Sequence, residues 1–152
     1  MTATLTAEDR LDIADLLYRI GAGLDNADSD LLSSAFAKDA TFDFGPAARF
    51  SGIDFPVLEG REQIVGGLIG ALGALDTFHQ VTNPRITVTD GEVVLTTLIE
   101  AAHFPAGDHS RHFLMKNRHT SRVARVDGVW LVTSNVADAA WVDGDVNVLL
   151  GR

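Results

Sequence analysis

Two Asp-Gly dipeptides, Asp90-Gly91 and Asp127-Gly128, constrain this chain more than any other feature. Asp-Gly readily takes the positive φ angles of a two-residue hairpin turn. Ile86–Thr89 and Glu92–Phe104 flank the first dipeptide, and His112–Val126 and Val129–Val142 flank the second. Pro105 to Asp108 supplies a turn between the two hairpins. The pattern predicts an antiparallel meander of at least four strands. Most of these runs are far longer than the usual strand of about 5–6 residues. A sheet of such strands must twist and curl, and helices laid against it would close a cone with an interior.

The part before Leu75 reads as helical. Thr6 and Asp9 form a capping-box pattern, followed by Ile13, Leu16, Leu17, Ile20 and Leu24 on one stripe. Asp28 or Ser29 caps a second helix with Leu31, Leu32, Ala35 and Phe36 on its apolar face. Thr41–Phe44 alternates as a short strand, and Gly45–Pro56 reads as a loop whose aromatic residues fold it back on the body. Gly60–Leu75 reads as a third helix, its glycines explained by close packing on the sheet. The expectation is an α+β chain, one domain over 1–152: a strongly curved antiparallel sheet with about three N-terminal helices enclosing a pocket.

Composition removes whole classes of function. The chain has no cysteine, which excludes disulfides, thiolate metal sites and a cysteine nucleophile. Its 12 Lys and Arg against 21 Asp and Glu give a net charge of −9, so no nucleic acid is expected as partner. No apolar run is long enough for a membrane helix, and Met1–Arg10 is polar, so a soluble cytoplasmic protein without membrane association is expected.

Period two assigns the strand faces. In one strand Phe113, Met115, Asn117, His119, Ser121 and Val123 point inward; in another Val93, Leu95, Thr97, Ile99, Ala101 and His103 do. Asn117, His103 and His119 are thus polar residues on faces that otherwise want apolar ones. Asp25 ends the first helix, where a carboxylate opposes the helix dipole. His79 begins an extended segment. An Asp beside a His makes a general base, and these two are candidates for one. Tyr18 lies two turns before Asp25 on the same side of the helix. His109 and His112 have a metal-like spacing, but residues three apart on a strand face opposite ways, and no metal site is expected.

Five segments together resemble the SnoaL-like branch of the NTF2-like superfamily: Leu24–Leu32, Phe36–Phe42, Glu59–Ile64, Phe78–Asn83 and Asp127–Trp130. The resemblance implies the cone already expected from the strands. It is nearest to the branch of scytalone dehydratase and bile acid dehydratase. It implies Asp25 and His79 as the catalytic pair, with His103 and His119 as further catalytic residues. Asn117, Tyr18, Leu24, Phe44, Phe113 and Met115 would contact substrate. Leu24 and Phe44 match positions where scytalone dehydratase carries tyrosines, and Ile20 matches a tyrosine of the bile acid enzyme. The activity implied is a cofactor-independent lyase or isomerase on a small hydrophobic ligand, with a non-catalytic binding or assembly protein as the alternative. A homodimer or homotrimer through the outer sheet face is implied as well.

Overall fold

The computed structural model describes residues 4–152. The chain begins with helix α1, Ala7–Asp25, and a short α2, Ser29–Ser33. Strand β1 is Phe36–Asp43, helix α3 Gly45–Phe50, strand β2 Leu58–Glu59 and helix α4 Arg61–Leu72. Four long strands follow: β3 Leu75–Thr89, β4 Glu92–Pro105, β5 Phe113–Val126 and β6 Val129–Gly144. A short 3₁₀ helix, Val146–Val148, comes after β6. The sheet has the order β2-β1-β6-β5-β4-β3, so it stays open with β2 and β3 at its edges.

The meander β3 to β6 is antiparallel throughout, as the two Asp-Gly turns require. Asp90, Gly91, Asp127 and Gly128 all have positive φ. The expected inner faces of β4 and β5 are the buried ones, from Val93 to His103 and from Phe113 to Val123. The outer face leaves Phe78, Leu98, Val136 and Trp141 exposed.

α1 supplies the lid. Its N-terminus carries the capping box: the Asp9 amide donates to Thr6 Oγ1 at 3.1 Å and the Thr6 amide to Asp9 Oδ2 at 2.9 Å. Ile13, Leu16, Leu17 and Ile20 are buried against the sheet. Asp9 also accepts from Trp130 Nε1 at 2.9 Å and pairs with Arg125, which fastens the start of the helix to β5 and β6. Indole and backbone hydrogen bonds hold the Asp9 carboxyl down at about 2.

Several expected boundaries move. Phe36 belongs to β1, not to the second helix, and β1 runs parallel to β6. A register shift between Phe36 and Thr41 breaks the alternation there and hides the first half of the strand. Gly45–Pro56 contains α3, with Pro46 at its start, where a missing amide costs nothing. Phe55 of the same segment does fold back, edge-on to Phe44 at 5.8 Å. The helix expected over Gly60–Leu75 ends at Leu72, because Leu75 already pairs with Pro105. Only Gly67 of its central glycines packs on the sheet, against Leu58; a Cβ at Gly66 or Gly70 would meet open space. β3 passes through Pro84 without ending, because β3 is an edge strand and a bulge between Thr82 and Arg85 absorbs the missing donor. α1, α2 and α4 are the expected helices, and α3 is a further one among the described residues.

Candidate active site

The concave side of the sheet and the helices enclose a cavity of about 290 Å³, close to the lower end of small-molecule sites. Ile20 and Leu24 of α1, Phe44, Leu68 of α4, Ile99 and Met115 give it apolar walls. Its polar lining is His79, His103, Asn117 and His119 together with Ser51 and Asp54, and among the described residues no Lys or Arg lines it.

Asp25 and His79 meet directly. Asp25 Oδ1 lies 2.6 Å from His79 Nδ1. The same carboxylate accepts from Thr77 Oγ1 at 2.9 Å and from the His79 amide at 2.9 Å. Partial burial pushes the Asp25 carboxyl up, but the hydrogen bonds from the ring and amide of His79 and from Thr77 outweigh it, and the group lies below its ordinary value. The carboxylate is therefore ionised and can only accept, so the proton of a neutral His79 ring sits on Nδ1 and leaves Nε2 free to take another. These hydrogen bonds offset the unfavourable end of the α1 dipole. α1 packs closely here: a Cβ at Gly21 would be in ordinary contact with His79, 3.4 Å from its Cβ and from its carbonyl oxygen.

His103 stands 5.9 Å from His79, centroid to centroid, with the rings perpendicular. Its Nδ1–H donates to the Phe113 carbonyl at 3.0 Å. Burial is the main cause that lowers its pKa, to about 4, so the ring is neutral. His119 is likewise lowered to about 4 by burial, and its Nδ1 faces Asn135. Asn117 Oδ1 is buried with no hydrogen-bond partner, an arrangement that costs free energy until something donates to it.

Leu24, Phe44 and Met115 line the cavity as expected, but two expected contacts do not. Tyr18 is 44% exposed and does not line the cavity: at about 100° per residue it sits roughly 140° round the helix from Ile13, off the sheet-facing stripe. Phe113 is buried behind His103, and its carbonyl, not its ring, serves the site. His109 and His112 bind Asp76 and Asp143 in separate exposed pairs. Among the described residues no cluster of three His, Asp or Glu side chains is arranged for a metal ion. Thr77 and Asn135 went unread in the sequence, although period two from His79 puts Thr77 on the same face.

Solved structures share this architecture. A candidate scytalone dehydratase, so named, from Novosphingobium aromaticivorans superposes with a TM-score of 0.75 at 17% identity, over 91% of this chain and 88% of that one. A hexachlorocyclohexane dehydrochlorinase from Novosphingobium barchaimii gives a TM-score of 0.74 at 20% identity, over 91% of each chain. In sequence, the terrestric acid biosynthesis cluster protein E of Penicillium crustosum is 26% identical over 95% of this chain and 92% of its own length. The SnoaL-like domain family matches residues 5–135. With that match spanning most of the chain, the protein belongs to the SnoaL-like family.

Proposed function

We propose that this protein is a cofactor-independent lyase or isomerase that acts on an uncharged, largely hydrophobic ring compound. The observation that carries the reading is the 2.6 Å Asp25–His79 hydrogen bond beside an apolar cavity. His79 Nε2 removes a proton from a carbon next to an electron-withdrawing group, and Asp25 stabilises the imidazolium that forms. In an elimination the C–H electrons become a C=C bond, the leaving group departs with its pair, and a proton joins it. In an isomerisation the proton returns at another carbon. His103, His119 and Asn117 stand where they would meet the ligand's oxygen or leaving group. The dehydrochlorinase and scytalone dehydratase names among the structural neighbours agree with such chemistry.

The test needs no knowledge of the natural substrate. α-Tetralone, a two-ring ketone, carries exchangeable protons beside its carbonyl. In deuterated buffer the protein should speed their exchange, and His79→Ala should not. Binding without any exchange, on this and related cyclic ketones, would favour a non-catalytic ligand carrier. The apolar Leu24 and Phe44 in the cavity wall are the feature that keeps that second reading open.

A homodimer or homotrimer, implied by the resemblance, would cover the exposed outer-face residues Phe78, Leu98, Val136 and Trp141. Light scattering on the purified chain decides between one, two and three copies.

A further inference from the structure

His119 differs from the other cavity histidines in what stands behind it. His79 and His103 turn Nδ1 toward oxygens that only accept, so in each neutral ring the proton sits on Nδ1 and Nε2 is bare. His119 turns Nδ1 toward the side chain of Asn135, whose Nδ2 lies at 3.1 Å and Oδ1 at 3.3 Å. An amide could meet the ring with either atom, and Ser121 decides which. Ser121 is fully buried, and its hydroxyl donates to Asn135 Oδ1 at 2.7 Å. Turning the amide over would take away the one acceptor found for that hydroxyl among the described residues and set Nδ2 in its place. With the amide fixed this way, Asn135 Nδ2 donates to His119 Nδ1, and the proton of a neutral His119 ring must sit on Nε2. All three residues are at least nine-tenths buried, so water does not compete for these bonds.

We propose that Ser121 and Asn135 are positioning residues that hold His119 as an Nε2–H donor toward the cavity, where it receives an acceptor oxygen of the ligand. In their neutral forms the base His79 and the donor His119 then differ in tautomer. The ligand half of this proposal rests on the ring-compound reading given above; the tautomer does not.

Long-range proton–nitrogen NMR on protein with nitrogen-15 histidine tests it, with His119→Gln to assign the signal. The parent should show His119 bare at Nδ1 and protonated at Nε2. Ser121→Ala should give a mixture of tautomers, and Ser121→Thr should restore the parent pattern. Asn135→Asp should put a proton on Nδ1. α-Tetralone should shift the Nε2 signal, whereas tetralin, the same rings without oxygen, should not. Asn135→Asp should weaken α-tetralone binding about tenfold, the loss expected for one buried hydrogen bond, and leave tetralin alone. A parent ring protonated at Nδ1 would overturn the tautomer assignment even if every variant failed to fold. Equal responses to the ketone and to tetralin would overturn the assigned role toward an oxygen. Failure of the proton-exchange reaction would remove the proposed activity and leave the tautomer result standing.

Discussion

The Asp25 carboxylate receives all three of its hydrogen bonds from two residues of β3, Thr77 and His79, which project from the same face of that strand. Asp25→Asn should retain the Thr77 contact but lose the charge opposite His79. The rate of α-tetralone proton exchange should then fall by about a hundredfold or more. Parent-like exchange in this variant would mean that the pair is not a base.

His79→Ala separates chemistry from binding. Affinity for α-tetralone, measured by calorimetry, should stay within a few-fold of the parent, because the cavity is chiefly apolar. Exchange should vanish. A large affinity loss with no parental exchange to lose would assign His79 to ligand binding only.

Stability should depend on pH through His103 and His119. Both are lowered to about 4 in the folded chain, from an ordinary value of 6.5. Between these values the unfolded chain binds more protons, so stability falls as the pH drops through the window. Full traversal costs on the order of 3 kcal/mol per ring, less than additively for two groups in one cavity. The depressed Asp25 carboxyl acts in the same direction only below its unfolded value of 3.8. Urea midpoints should therefore decline from about pH 7 to about pH 4.5, and His119→Gln should flatten the decline.

Asn117→Leu should raise the stability of the empty protein by about 1 kcal/mol, since it removes a buried acceptor with no donor. The same change should weaken the binding of hydroxyl-bearing ring compounds. Thermal unfolding with and without α-tetralol reads both effects; a variant less stable than the parent and equally good at binding would contradict the orphaned acceptor.

Gly23→Ala should destabilise. Its Cβ would come within 2.9 Å of Leu32 Cβ and of the Leu32 amide nitrogen. Forcing α1 and α2 apart costs roughly 1–3 kcal/mol. The helix propensity gained recovers at most about 1 kcal/mol. A lower denaturation midpoint is expected, and an unchanged one would show that the α1–α2 turn yields freely.

The sheet was the most readable part of this molecule, because Asp-Gly turns and period two leave little choice over strands as long as β4 and β5. His103, Asn117 and His119 could be placed on inner faces for the same reason. Asp25 and His79 were nominated by chemistry and resemblance, and their contact depends on how α1 crosses β3, which no local pattern encodes. Tyr18 does share a side of α1 with Asp25, but that side lies off the buried stripe of Ile13, Leu16, Leu17 and Ile20, and at position 18 it faces solvent. β1 was cut short because a register shift interrupts its alternation. Asn135 was overlooked because it acts behind His119, so only the register of β5 against β6 discloses it.

α1 is pinned near both ends by acidic side chains. Asp9 holds the β5–β6 end of the sheet and Asp25 holds the edge strand β3. The 16 residue steps from Asp9 to Asp25 span about 24 Å of helix, a length that cannot stretch. The helix is thus a strut of fixed length across a curved surface, and it sets how far the sheet can flatten. Lengthening α1 by one turn would widen or tear open the chamber, whereas added residues at the Asp90-Gly91 tip would lie on no such span. The carboxylate that holds the His79 ring is also one of the two bolts that give the chamber its width.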